Sequence, residues 1–255
     1  MAGMSFDVAA SAYDRFMGRY SSLLSKQMAD LAGVRAGQRV LDVGCGPGAL
    51  TTELVSRTDA SNVAAVDPSA PFVEAARTRH PGADVRQASA EALPFEDDAF
   101  NAALAQLVVH FMTEPVRGIR EMARVVRPGG SVAACVWDHA GGKGPLGLFW
   151  HVARTLDPSV ADESTLPGVR EGDLARLFGE AGLRSVESTV VSADLEHPDF
   201  DAWWQPFTEG VGPAGAYVAG LPPERRVELR EACRAALPDG AFIVVARAWA
   251  ARGEA

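Results

Sequence analysis

Cysteine is scarce in this chain: Cys45, Cys135 and Cys233 are the only three among 255 residues. An odd number at wide spacing excludes the disulfide framework of a small secreted domain and fits reduced thiols. The cysteines also show no metal-ligand spacing with the few histidines. No apolar run approaches the roughly 20 residues that a membrane-spanning helix needs. The stretch Met1-Ala2-Gly3-Met4-Ser5-Phe6-Asp7 lacks the basic-then-apolar layout of a secretion signal. Basic residues are outnumbered, 24 against 33 acidic, for a net charge of −9. That balance argues against nucleic acid and anionic membrane as partners. These absences together give the expectation of a cytoplasmic protein. The length is sufficient for one domain, or one domain with a cap, and no internal repeat or low-complexity segment breaks it.

What the chain does have is concentrated at Arg39-Val40-Leu41-Asp42-Val43-Gly44-Cys45-Gly46-Pro47-Gly48. An apolar run reads as a buried parallel strand, and the alternate glycines let the backbone turn sharply beside a ligand. Ala49 to Arg57 follows with helical composition, placing Leu50, Leu54 and Val55 on one face. Strand, glycine turn and helix form half of a nucleotide-binding βαβ unit. Gly44, Gly46 and Ala49 satisfy the relaxed dinucleotide fingerprint, so a nicotinamide dinucleotide remains a rival ligand. Asp42, just ahead of the first glycine, argues against a pyrophosphate there and for a ligand carrying an ammonium or sulfonium charge, which points to S-adenosylmethionine. The second strand, Asn62 to Val66, ends in Asp67, an acid suited to ribose hydroxyls with either ligand.

A third strand, Asp84 to Gln87, precedes Ala88-Ser89-Ala90-Glu91-Ala92-Leu93-Pro94-Phe95. A strand Ala102 to Ala105 leads into Gln106-Leu107-Val108-Val109-His110-Phe111. Glu121-Met122-Ala123-Arg124-Val125-Val126-Arg127-Pro128-Gly129-Gly130 closes a helix before the strand Ser131 to Val136. This alternation implies a mainly parallel sheet. Helices are expected over Leu146 to Leu156 and Glu171 to Ala181, a sixth strand over Arg184 to Val191, and a last strand over Ala241 to Ala250. Between the last two lies a long insertion, near 192–240, holding Trp203, Trp204, Phe207, Tyr217 and a helix from Pro223 to Leu237. A segment of this length is uncommon unless it has a function, and it reads as a substrate lid or alternatively as a homodimer surface.

With these motifs in order, roughly Met4 to Val136 resembles the class I S-adenosylmethionine-dependent methyltransferases, in particular the small-molecule branch of the ubiquinone/menaquinone-biosynthesis type (methyltransferase type 11). The resemblance implies an α/β Rossmann-like fold: a seven-stranded mainly parallel sheet with helices on both faces, an N-terminal helical cap over residues 1–37, and a cofactor-binding domain over 38–255. It implies that Gly44, Cys45 and Gly46 lie along the amino-acid part of the cofactor and that Asp67 holds the ribose. Pro68 and Phe72 pack on the adenine edge, Ala90 and Glu91 offer main-chain groups to the ring, and Gln106 begins the segment at the methionine end. Ser89 stands where many relatives place an aspartate for the adenine amino group. In the cap, Phe6, Ala10, Tyr13, Phe16 and Met17 are spaced as a helix face, and Tyr13 to Tyr20 is expected over the pocket. Arg19 could pair with the methionine carboxylate, the alternative being a solvated Arg19 with Tyr13 and Phe16 as core residues.

A sulfonium methyl is already activated, so alignment and water exclusion are the enzyme's main tasks. His110 is the candidate general base, with a polar wall that orients substrate as the alternative. Asp138 and His139 follow the fifth strand and could also line the mouth, while Trp137 and Trp204 are candidate aromatic walls or core residues. No metal site is expected. The Asn/Asp-Pro-Pro-aromatic motif of amino-methylating enzymes is absent, no cysteine follows a proline as in cytosine methylation, and Glu114 stands apart from other acids. The acceptor expected is therefore a small molecule, methylated on oxygen or carbon. A non-catalytic S-adenosylmethionine-binding protein and an NAD-dependent oxidoreductase stay open as alternatives.

Overall fold

Among the described residues, seven strands collect into one sheet in the order β3-β2-β1-β4-β5-β7-β6. The computed structural model describes residues 10–255, so Phe6 and the first residues of the expected cap lie outside it. From the described start, α1 (Ala10–Tyr13) runs through a wider π turn at Asp14–Gly18 into α2 (Arg19–Leu31). The alternating half then follows: β1 (Val40–Val43), α3 (Ala49–Arg57), β2 (Val63–Asp67), α4 (Ala70–Arg79), β3 (Asp84–Gln87), β4 (Phe100–Gln106), α5 (Pro115–Val125) and β5 (Val126–Trp137). The remainder is α6 (Gly147–Leu156), α7 (Asp173–Ala181), β6 (Arg184–His197), α8 (Phe200–Trp204), α9 (Gly212–Gly220), α10 (Pro223–Ala235) and β7 (Phe242–Glu254).

β1 to β5 pair in parallel, whereas β7 runs antiparallel to both β5 and β6. Period-two alternation sends successive strand residues to opposite faces. Leu41 and Val43 of β1 join Ala103, Val132 and Ala134 under Ile119 and Met122 of α5 and Phe178 of α7. Val40, Leu104, Ala133 and Cys135 face the other way, under Leu24 and Met28 of α2 and Leu50 and Leu54 of α3. Asp42 lies on this second face by the same alternation, which decides its role below.

The last two strands are longer than the sequence pattern suggested. Ser192, Asp194 and Glu196 look like the end of a strand, yet β6 continues to His197 because Ala193 and His197 turn inward while the polar residues turn out. The insertion proper is thus residues 198–241. The expected cap docks on this hairpin: the Tyr20 hydroxyl meets His197 Nε2 at 3.0 Å, and Gln27 donates to the Ser192 carbonyl at 2.8 Å.

A separate apolar cluster lies off the sheet. Phe149 and Trp150 of α6 pack with Phe200, Trp203, Trp204 and Phe207 of the insertion and with Phe16. Phe149 and Phe207 stack at 4.5 Å between ring centroids and 12° between planes. This cluster makes the insertion a folded part of the domain. Phe207→Ala should therefore destabilise the protein by about 3–5 kcal/mol, read as a lowered denaturant midpoint. An unchanged midpoint would mean that the insertion is not coupled to the fold.

Candidate active site

The turn after β1 is stitched to the end of β2. Gly44 and Cys45 both donate their N–H groups to the Val66 carbonyl, at 2.8 and 2.9 Å. Gly46 N–H donates to Asp67 Oδ2 at 2.9 Å, and Ser69 N–H to Asp67 Oδ1 at 2.8 Å. This pattern requires left-handed backbone, with φ of +72° at Gly44 and +53° at Gly46. A Cβ on Gly44 would also stand 2.5 Å from a methyl of Val108, so the glycine is needed for space as well as for conformation. Burial pushes the Asp67 carboxyl upward, and its two N–H donors pull it back toward the ionised form.

Beside this turn opens a cleft of about 540 Å³, within the usual range of cofactor sites. Tyr13, Gly44, Gly46, Asp67, Pro68, Phe72 and Gln106 line it, as the sequence led us to expect. The Tyr13 and Phe72 rings lie 5.3 Å apart between centroids. Five other candidates take different places. Cys45 is buried with Ala65, Val73, Ala76 and Val85 and fills space behind the loop. Arg19 is turned away from the cleft: its guanidinium donates to the Glu196 carbonyl at 3.1 Å. Ser89 is exposed and bonded to Glu91, whose other oxygen accepts from Thr113 N–H at 2.9 Å just ahead of α5. Ala90 is buried under α5 near Gly118. Ser89, Ala90 and Glu91 thus close the structure at the edge of α5 rather than line the cleft.

Asp42 also needs correction. It is buried, and its Oδ2 accepts from the Thr51 hydroxyl of α3 at 2.6 Å. The carboxylate serves the strand–helix junction and is not part of the cleft wall, so it does not by itself select a cationic ligand. Residues that the sequence reading missed include Gln87, Leu107, Val108 and Phe111. Gln87 was accessible to register reasoning, because it pairs directly with Asp67 across β2 and β3. Leu107 has φ +63°, a left-handed value at a bulky residue that no sequence signal announces.

Tyr13, Leu107 and Phe111 are shared with a second, smaller chamber of about 40 Å³. Trp137, Leu146, Phe16 and the segment Val211–Ala214 enclose it, and His110, His139 and Glu163 supply its polar wall. All three are buried, and their nearest donor atoms lie within 4.8 Å of one another. His110 Nδ1 and His139 Nε2 have no hydrogen-bond partner. Glu163 Oε2 accepts from the Trp150 indole at 2.9 Å, and Oε1 lies 3.8 Å from His139 Nε2. Burial holds His110 well below the usual histidine range, with His139 adding to the effect. Burial likewise lowers His139 to about 4 and raises Glu163 to about 7. Asp138 is used locally, accepting from Gly141 N–H at 2.8 Å, and Trp204 belongs to the insertion's core rather than to the chamber.

The cleft meets the requirements of S-adenosylmethionine on one further observation. Gln106 is anchored through Nε2 to the Ser21 carbonyl at 2.9 Å, which leaves its buried Oε1 without a partner at the cleft wall. An ammonium group would supply the missing donor.

Comparison with known proteins agrees. Residues 41–134 match the family described as methyltransferase domain. The chain is 34 % identical over 233 residues to a demethylmenaquinone methyltransferase of Clavibacter sepedonicus, covering 85 % of this chain and 92 % of that protein. It is 36 % identical over 168 residues to an uncharacterised methyltransferase of Mycobacterium bovis, covering 64 % of this chain and 65 % of the relative, less than two thirds of its length. In fold it is similar to a methyltransferase from an antibiotic biosynthesis pathway of Anabaena variabilis, with a TM-score of 0.63, 17 % identity and coverage of 91 % and 98 %. The chain belongs to the S-adenosylmethionine-dependent methyltransferases.

Two outcomes follow from this geometry. Gly44→Ala should weaken S-adenosylhomocysteine binding by about tenfold or more and lower the melting temperature by several degrees, because the left-handed φ and the Val108 contact are both violated. Burial raises Asp42 to about 7, so the folded form retains a proton that the unfolded chain releases from about pH 4 upward. Its contribution to stability is thus fully present below the unfolded pKa and is lost as pH rises through the folded one. Asp42→Asn should gain melting temperature over the parent as pH rises from about 5 to about 8, and a constant difference would refute this assignment.

Proposed function

We propose that this protein transfers a methyl group from S-adenosylmethionine to an oxygen or carbon of a small-molecule acceptor. The carrying observation is the shared wall of Tyr13, Leu107 and Phe111, which sets a polar-backed, enclosed chamber directly beside the cofactor cleft. When bound, the cofactor supplies a methyl on positively charged sulfur, and its displacement leaves the bonding pair on sulfur.

The chain's own residues then hold and orient. Asp67 would accept from the ribose hydroxyls, Pro68 and Phe72 would pack on the base, and Gln106 Oε1 would accept from the amino group. Gly44 and Gly46 keep the loop free of side chains where the ligand passes. Val211–Ala214 roof the chamber, which supports the lid reading of the insertion and the exclusion of water. His110 lines the chamber with its Nδ1 unpartnered and is the residue that would take a proton from a protic acceptor. The demethylmenaquinone methyltransferase relative supports a small organic acceptor over a macromolecule. Three unpaired cysteines support a reducing, cytoplasmic setting.

Calorimetric titration with S-adenosylmethionine, S-adenosylhomocysteine and NAD tests the assignment. Both adenosyl ligands should bind and NAD should not, with Asp67→Ala weakening adenosyl binding by about tenfold to a hundredfold. Binding of NAD in their place would overturn it in favour of an oxidoreductase.

A further inference from the structure

Two histidines and a glutamate meet in the chamber from distant parts of the sequence, so no motif spacing announces them. His110 comes from the turn after β4, His139 from the loop after β5, and Glu163 from the turn between α6 and α7. All three are more than nine-tenths buried, with 3, 8 and 4 % of their surface exposed. One donor atom from each lies within 4.8 Å of the other two, and among the described residues this is the one such group of His, Cys, Asp or Glu donors. His110 Nδ1 and His139 Nε2 have no partner, in a wall that holds no lysine or arginine. Leaving such atoms unmet in an enclosure is costly, and a single cation would meet both.

We propose that His110, His139 and Glu163 form a binding site for a divalent first-row transition-metal ion, with zinc as its representative. The site goes beyond the methyl-transfer reading and does not depend on it. A nitrogen that ligates a cation cannot take a proton, so His110 acts as a base only in the metal-free chain.

Donor chemistry selects the ion. Two imidazoles and one carboxylate suit zinc or ferrous iron, whereas magnesium and calcium demand mainly oxygen ligands. Burial keeps both rings neutral, which is the form that ligates. The Trp150 indole already holds Glu163 Oε2, the kind of outer bond that orients a ligating carboxylate and leaves Oε1 free to bind. Asp138, next to His139, is spent on the Gly141 N–H and stays out of the donor set. Glu163 offsets one of the two positive charges. An anionic oxygen in the open position would offset the other, so the loaded site need not repel a sulfonium next door.

Size and geometry agree. A chamber of about 40 Å³ has room for an ion with one or two small ligands, but not for a whole organic acceptor. A point equidistant from three atoms 4.8 Å apart lies about 2.8 Å from each, against about 2.0–2.2 Å for bonds to zinc. Binding therefore draws each side chain inward by about 0.7 Å, which small torsional adjustments supply. Glu163 Oε1 and His139 Nε2, 3.8 Å apart, have less far to move. Three protein ligands leave a fourth position open, as in catalytic rather than structural zinc sites. The open position can take water or an oxygen of the acceptor.

The test uses the full chain, stripped with a chelator and titrated with Zn²⁺ and with Co²⁺. One equivalent should bind and raise the melting temperature, and cobalt should give the intense visible bands of a four- or five-coordinate ion. His139→Gln and Glu163→Gln should each weaken Zn²⁺ by at least about a hundredfold while keeping the parent's S-adenosylhomocysteine affinity. His151→Gln, on the exposed side of α6, should leave Zn²⁺ binding unchanged. In the cobalt-loaded parent, paramagnetically shifted imidazole signals from two histidines should appear, a readout that needs no variant. Absence of stoichiometric binding, binding unchanged in both His139→Gln and Glu163→Gln, or shifted signals from fewer than two histidines would overturn the proposal.

Discussion

The clamp between the β1 turn and the end of β2 is the constraint on which the site depends. Four backbone N–H groups, from Gly44, Cys45, Gly46 and Ser69, converge on the Val66 carbonyl and the Asp67 carboxylate. Because Asp67 is held at both oxygens by backbone, its position is set by two parallel strands rather than by side-chain rotamers. Charge-assisted bonds of this kind are about twice as strong as neutral ones, and they leave lone pairs directed to the cleft. Everything else at the cofactor site is arranged around that carboxylate: Gln87 lies beside it in register, and Phe72 is carried by the helix that begins three residues later.

The second organising element is the aromatic cluster off the sheet. Its Trp203 and Trp204 stay out of the chamber wall, although isolated tryptophans in a sequence invite the opposite reading. Its role is to hold α6 and the insertion together, so that Val211–Ala214 and Glu163 arrive at the chamber from opposite sides. Trp150 joins the two roles, packing in the cluster while its indole N–H holds Glu163. Phe16, Leu146, Val211 and Ala214 belong to both, so precision at the chamber is derived from the core that also builds part of its wall.

Much of the fold was legible because parallel strands carry strong local signals: apolar runs, an acid at the β2 end, and glycines where the chain must turn. The cleft-lining residues Gly44, Gly46, Asp67, Pro68 and Phe72 follow from that local grammar. Arg19 and Asp42 show its limit, since a charge near a motif says nothing about the direction of its side chain. Arg19 points to β6, and Asp42 to Thr51, for reasons set by helix and strand phase. Glu163 lies in a three-residue turn with no motif, and only tertiary packing brings it to His110. The polar residues of β6 hid its true length, because alternation in a half-exposed strand resembles a loop when its partner is unknown.

The antiparallel placement of β7 has a kinetic consequence. β7 lies between β5 and β6 although it follows both in the chain. Within the β1–β5 half the widest pairing joins Val40 to Ala102, whereas β7 must return from Ala248 to Trp137 of β5, and β6 has no sheet neighbour until the segment 198–241 has been crossed and β7 has inserted. Closing that span is an entropic cost incurred before any pairing compensates for it, so ordering of the hairpin should be the slow phase of folding. Until then two strand edges stay open at once, that of β5 and that of β6, and aggregation competes with folding during that interval.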